Sequence, residues 1–402
     1  GPAGKRPRRA RRGRLSGAAR AVIFREPPPS DEQAPIVTYS ENVRDLEPSA
    51  TLAIAALARE LRVRGRDLVD LSAGEPDFAT PGFIAEAAVA AIRGGATRYT
   101  SAAGLPELRA AIARELGRRA RRALDPAGVV VTAGAKQALF NACFALFGPG
   151  DRVLLPTPWW TSYPALIRLA RAEPVEVRGD PARGFKLTPE ELEAAWDERV
   201  RGLILNSPCN PTGAVYTLAE LEAVAEWAAA RGLWLISDEI YGRICFVAHR
   251  APGLLDLDPA LTRKAVLVDG ASKSFAMTGW RIGFSYSDPE LAARMAALQS
   301  HITSNAATPS QHAALAAYEA GPEQTAEIAR MVDAFRRRRD LVLALLDEHL
   351  PDLPYLVPDG AFYVFLRTDD FYTPAVPDST SFCRALLEQA GVALVPGAAF
   401  GD

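Results

Sequence analysis

Asp269-Gly-Ala-Ser-Lys-Ser-Phe-Ala-Met-Thr-Gly-Trp-Arg-Ile-Gly-Phe284 places one lysine and one arginine in a small, apolar segment directly behind a strand-like run, Ala265 to Val268. Both cations are expected where solvent is scarce. A lysine is almost never fully buried without a partner, and desolvation lowers its pKa towards the range where the free amine is a nucleophile. Lys273 is therefore the candidate reactive residue. Taken alone, the stretch equally fits a lysine that snorkels to water beside a structural arginine.

Working outward, the flanking chain alternates strand and helix patterns, which predicts a mostly parallel sheet with helices on both faces. Val129 to Val131 leads into Thr132-Ala-Gly-Ala-Lys-Gln-Ala-Leu-Phe140, and Asp151 to Leu155 into Pro156-Thr-Pro-Trp-Trp-Thr-Ser-Tyr163. Arg201 to Leu205 leads into Asn206-Ser-Pro-Cys-Asn-Pro-Thr-Gly213, and Leu233 to Ile236 into Ser237-Asp-Glu-Ile-Tyr241. Ligands of open α/β sheets bind outside the carboxyl ends of the strands, so these five ends are expected to converge on one cleft. Helical spacing marks 50–64, 81–92, 105–118, 289–302, 325–350 and 379–390. Short strands are expected at 67–71 and 392–395, and a hairpin-like piece at 361–366.

The 402 residues, 49% hydrophobic, suffice for one large domain and a smaller one. The expected division is a tail over 1–34, a small domain from 35–80 and 330–402, and a large domain over 81–329. A net charge of -2 gives no global reason to expect nucleic acid or a membrane as partner, and no apolar run is long enough to cross a bilayer. Residues 1 to 14 are basic, free of acids and free of aromatics that would stack on bases. That reads as a solvated extension or start-site artefact rather than a nucleic-acid arm or a transit peptide. Cys143, Cys209, Cys245 and Cys383 are far apart, which points to a reducing cytoplasm. Cys245 and His249 are the only close pair, short of a metal ligand set.

Read together, the strand ends supply what a carbonyl cofactor with a phosphate and a basic ring nitrogen needs. Gly134-Ala-Lys136 opens a helix after a strand, an anion site by its free N–H groups and dipole, and the fork of Arg281 suits the same phosphate. Asp238 at a buried strand end is costly unless paired, as with a protonated pyridine nitrogen. Tyr241 and the amide of Asn210 suit a phenolate oxygen, and Trp160 offers a flat face. Singly each has a structural explanation: a cap, a core tryptophan, a turn.

In the order Gly74-Glu-Pro-Asp-Phe78, Asn210-Pro-Thr-Gly213, Ser237-Asp-Glu-Ile-Tyr241 and Ser272-Lys-Ser-Phe-Ala-Met-Thr-Gly-Trp-Arg-Ile-Gly283, the chain resembles the class I aminotransferases of pyridoxal-phosphate fold type I. Within them it is similar to the bacterial aspartate aminotransferases, some of which also use prephenate. The resemblance spans about residues 40 to 402. It implies pyridoxal 5'-phosphate held as a Schiff base on Lys273, Asp238 at the ring nitrogen, Tyr241 and Asn210 at the ring oxygen, and Trp160 stacked on the ring. It further implies Arg281, Ala135 and Lys136 at the phosphate, joined by Tyr99 from the partner subunit of a homodimer. Gly74 would meet the substrate α-carboxylate and Lys136 the distal carboxylate of an acidic substrate; Trp160, Asn210 and Thr51 match further substrate-binding positions.

Those roles imply ping-pong transamination between an amino acid, aspartate or another acidic donor, and a 2-oxo acid such as 2-oxoglutarate. Two departures stand out. The family's α-carboxylate-clamping arginine lies some residues past a segment like Val395-Pro-Gly-Ala-Ala-Phe-Gly401, which only Asp402 follows here. A C-terminal truncation with weak turnover is the expectation, since a lost bidentate charge pair removes a few kcal/mol of binding. Glu47 stands where relatives active on prephenate tend to carry a basic residue, which lowers that reading. The alternatives are an aromatic or prephenate aminotransferase, a carbon–sulfur lyase on the same cofactor, a catalytically weak cofactor-binding protein, and a regulator fused to a DNA-binding module. For the last, 34 residues are too few.

Overall fold

The computed structural model describes residues 40–44, 46 and 50–401. The expected tail, Glu47 and the side chain of Thr51 lie outside the described residues. By contact the chain divides after Arg44. The earlier unit contributes the four-residue helix Glu41–Arg44, and every other element belongs to the later unit.

Among the described residues nine strands form: β1 Val69–Asp70, β2 Val129–Thr132, β3 Arg152–Thr157, β4 Glu173–Arg178, β5 Val200–Asn206, β6 Trp234–Asp238, β7 Ala265–Gly270, β8 Gly283–Tyr286 and β9 Val392–Ala393. Seven make one sheet in the order β2-β8-β7-β6-β5-β3-β4. β8 runs antiparallel to both its neighbours, and the other pairs are parallel. The unbroken apolar runs of the central strands follow from burial on both faces. Val129, Val131, Leu203, Leu205, Leu235 and Leu267 pack into one core under helices Gly82–Arg93, Pro106–Ala120, Leu218–Ala230 and Thr308–Tyr318. Val130, Ile204, Ile236, Val266 and Val268 pack into the other under Ala135–Leu146, Tyr163–Leu169 and Pro289–Ser300.

A second, two-stranded sheet pairs β1 with β9 in parallel. Ala58, Leu68, Leu387 and Ala393 close a small core beside it, and Gly391 at φ 70 ends helix Ser379–Ala390.

Two expectations are corrected. No hairpin forms over 361–366, because its backbone bonds go elsewhere. Ala361 adopts φ 57 and donates its N–H to the Ile244 carbonyl, and the nearby pairings are isolated bridges, Cys245 with Gly360 and Tyr355 with Leu366. Arg281 is exposed rather than buried, since it follows the turn Thr278–Trp280 at the sheet edge. β4 and β8 are additions to the strands read from sequence. The Gly283 that ends the lysine-to-arginine stretch opens β8.

Candidate active site

Because β2, β3, β5, β6 and β7 run parallel, their carboxyl ends share one edge of the sheet, where polar loops gather. Register places Asn206 beside Asp238 and Asp238 beside Val268. From β7 the chain turns directly into the short helix Ala271–Ser274, which lifts Lys273 over that edge. Its ammonium donates to the Gly74 carbonyl at 2.5 Å and lies 5.7 Å from the Phe362 ring centre and 5.9 Å from that of Tyr241. Burial pulls its pKa down to about 8, helped by Arg281 and opposed by Glu75 and Asp238. The loop carrying Gly74 is tied to the lysine loop. Thr80 donates to the Ala276 carbonyl (2.6 Å), the Trp280 indole N–H donates to Thr80 (2.9 Å), and Thr278 donates to Glu75 (2.8 Å).

Asp238 is buried. Its Oδ2 accepts from the Tyr163 hydroxyl at 2.8 Å and its Oδ1 from the Ile240 N–H at 3.2 Å. Burial pushes its pKa up to about 6 against those hydrogen bonds. Among the described residues no cation lies within ion-pair distance of it, so a buried carboxylate faces the cleft without a permanent counter-ion. Tyr163 in turn packs edge-on against Trp160, ring centres 5.3 Å apart. The Tyr241 hydroxyl lies 2.5 Å from that of Tyr363, with the Asn210 amide beside it. Asn210 is held by its own N–H, which donates to Asn206 Oδ1 at 2.7 Å.

The third cluster is cationic. Gly134, at φ 85, caps helix Ala135–Leu146, and a helix start leaves its first N–H groups without intrahelical acceptors. The Arg281 guanidinium lies against Gly134 where a Cβ would stand, and donates to the Thr278 carbonyl at 3.0 Å. Gly283 must also lack a Cβ, since one would strike the Gly134–Ala135 backbone; this close approach brings the arginine loop to the helix start. Lys136 sits 4.9 Å over the Trp160 ring, its pKa lowered by burial and then by Arg281. Two neighbouring cations with free helix N–H groups call for an anion.

The fold thus gathers Lys273, Gly74, Asp238, Tyr241, Asn210, Trp160, Ala135, Lys136 and Arg281 at one sheet edge. Tyr99 stands apart, 90% exposed in the single chain, and Thr51 falls outside the described side chains. Three contributors escaped the sequence reading: Tyr163, Glu75 and Tyr363. Tyr163 carried a usable signal, lying three residues beyond Trp160 where a helix begins. Tyr363 carried none, because only the tertiary return of 359–363 brings it to Tyr241.

This donor set fits a phosphorylated pyridine aldehyde: an amine of lowered pKa, a carboxylate lacking a cation, and an anion cradle at a helix start. A family model described as aminotransferase class I and II matches residues 66–401. The chain belongs to that family and is a pyridoxal-phosphate-dependent aminotransferase of fold type I. It is 41% identical to the aspartate aminotransferase of Geobacillus stearothermophilus, over 90% of this chain and 91% of that one. Identity to the aspartate/prephenate aminotransferase of Cereibacter sphaeroides is 42%, with the same coverage. Among solved structures, the aspartate aminotransferase from Thermus thermophilus with maleate superposes with TM-score 0.84 at 42% identity, covering 91% of this chain and 93% of that chain.

Proposed function

We propose that the chain transaminates aspartate or another acidic amino acid against a 2-oxo acid such as 2-oxoglutarate, in a ping-pong cycle centred on Lys273. The observation that carries this is the pairing of a lysine of lowered pKa with the cation-free Asp238 at one sheet edge. When bound, the cofactor supplies a carbonyl that joins to amines and a protonated ring that accepts the electron pair of the substrate Cα–H bond. Lys273 is its attachment point and, once displaced, the base and acid that moves a proton at the substrate α-carbon; a pKa near 8 leaves part of the amine free at neutral pH. Asp238 holds the proton on the ring nitrogen, with Tyr163 fixing its orientation. Tyr241 and Asn210 orient the ring oxygen, Trp160 covers one ring face, and Arg281 with the Ala135–Lys136 helix start binds the phosphate. Gly74 meets the substrate α-carboxylate, Thr51 lines the substrate side, and Lys136 at the cleft mouth selects a distal carboxylate.

The two-part division, 81–329 against 35–80 with 330–402, is supported by the separate small core under β1 and β9. A homodimer in which the partner subunit brings Tyr99 to the phosphate is supported by that ring's exposure here. A cytoplasmic setting is supported by four free cysteines. Among the described residues, no helix is long and apolar enough to cross a membrane. The name aspartate aminotransferase on several relatives supports the choice of donor.

The test is the visible spectrum of purified protein with pyridoxal phosphate. A band of lysine-linked cofactor is expected, bleached by aspartate and restored by 2-oxoglutarate, and lost in Lys273→Ala. A band that Lys273→Ala leaves intact would sink the assignment. A donor panel in which asparagine or an aromatic amino acid outpaces aspartate would move the substrate class.

A further inference from the structure

Tyr363 has no counterpart among the sequence-read site residues, yet its hydroxyl lies between Tyr241 and Gly74. It belongs to a strap, 359–363, fastened to two of the site loops. The N–H groups of Asp359 and Gly360 both donate to the Gly213 carbonyl at 3.0 Å, in the loop after β5. The Ala361 N–H donates to the Ile244 carbonyl at 2.9 Å, and the Phe246 N–H to the Asp359 carbonyl at 2.7 Å, in the loop after β6. Ala361, fully buried in the left-handed region at φ 57, turns the next two rings inward. Phe362 then walls the Lys273 amine, and Tyr363 meets Tyr241 edge-on, ring centres 5.6 Å apart at 81°.

The two hydroxyls, 2.5 Å apart, are both kept neutral by burial. A neutral phenol has one proton to give. If Tyr241 gives its proton to Tyr363, nothing is left for a third oxygen; if Tyr363 is the donor, the Tyr241 proton is free to point into the cleft. The Tyr363 hydroxyl also lies at Gly74, 2.9 Å from where a Cβ there would stand, so a side chain at Gly74, whose carbonyl holds Lys273, would press on that hydroxyl. Resting on the reading of Tyr241 as the group at the cofactor ring oxygen, we propose that Tyr363 is a positioning residue: it donates to the Tyr241 oxygen and thereby aims the Tyr241 proton at that ring oxygen.

The test uses the full chain loaded with pyridoxal phosphate, as wild type, Tyr363→Phe, Tyr241→Phe and the double variant. Phenylalanine keeps the wall and removes only the hydroxyl. Three quantities are read: kcat, KM for aspartate, and the pH midpoint of the cofactor's visible band. The charged and titratable groups facing the pair are Asp238, Lys273 and Cys209, all unchanged in these variants. Tyr363→Phe is expected to lower kcat about 3- to 10-fold, the worth of one hydrogen bond. KM should change less than about twofold, and the midpoint should move by about half a pH unit or more. In the Tyr241→Phe background the same change should add almost nothing, because both act on one proton. An unmoved midpoint, or effects that simply add, overturns the proposal. A wild type that shows no band at all overturns the reading of the cleft, and this inference with it.

Discussion

Asp238 and Glu239 are consecutive buried carboxylates at the end of β6, and the chain treats them in opposite ways. Successive residues of an extended chain point to opposite faces. Glu239 faces a closed set of partners: it is ion-paired with Arg119, whose side chain is only 6% exposed, and accepts from the Leu254 N–H at 2.8 Å and the Ser237 hydroxyl at 3.1 Å. Arg119 also grips Asp256 Oδ2 through two nitrogens, at 3.0 and 3.2 Å. Asp238 has a hydroxyl and an N–H for company but, among the described residues, no cation within ion-pair distance, and its pKa climbs to about 6. A saturated buried ion pair is built into the fold. A buried carboxylate without a cation is a standing cost, and its position at a cleft with Lys273 argues that a cationic ligand atom completes it.

The sharpest way to break this contrast is to neutralise each carboxylate in turn. Asp238→Asn should lower transamination about 100-fold or more, the scale for removing a preorganised electrostatic partner, while the cofactor-free protein at neutral pH unfolds no more easily, its stability rising by up to about 3 kcal/mol. Glu239→Gln should do the reverse: activity per folded molecule within about threefold, but stability down by about 1 to 3 kcal/mol, because buried Arg119 keeps Asp256 and loses only its charge-assisted bond to Glu239. Urea melts and kinetics on the same preparations decide it. If Glu239→Gln abolished turnover without unfolding the protein, the division of labour would be wrong.

A smaller effect follows from pH. The folded-state pKa of Asp238 is raised above its ordinary value, as is that of Asp269, pushed up by burial to about 7. For a raised carboxylate the favourable contribution is complete below about pH 4 and is lost as pH rises through the folded value. The cofactor-free protein should therefore lose stability between about pH 4 and 7, with about 3 kcal/mol as the upper scale for Asp238. Asp238→Asn should flatten the lower part of that slope and leave the part belonging to Asp269. On the proposed role of Asp238 at the ring nitrogen, pyridoxal phosphate should act like the substitution. A slope that neither change touches would place the titration elsewhere.

Much of this contrast was legible before the structure. The runs at 129–131, 201–205, 233–236 and 265–268 announce doubly buried strands, and the residues just past them form the cleft, because a parallel sheet puts those ends on one edge. Asp238 could be picked out as a charge at the end of such a run. Its different fate from Glu239 could not, since that depends on Arg119, more than a hundred positions away on another helix. β8, which opens at the end of the lysine-to-arginine stretch, escaped because four residues of Gly-Phe-Ser-Tyr carry too little pattern to mark a strand. The 361–366 segment looked like a hairpin because its run of aromatic and branched residues mimics a strand; in the fold, the N–H groups of Asp359, Gly360 and Ala361, just before and at its start, serve the loops after β5 and β6 instead. Tyr363 was invisible for the same reason.

The most direct measurement is to load the protein with pyridoxal phosphate, reduce it with borohydride, and map the pyridoxyl group by mass spectrometry. The chain has five lysines, Lys5, Lys136, Lys186, Lys264 and Lys273. The label is expected on Lys273 alone, at one per chain, and absent when aspartate is added before the reductant. A label on Lys136, or spread across several lysines, would contradict the account.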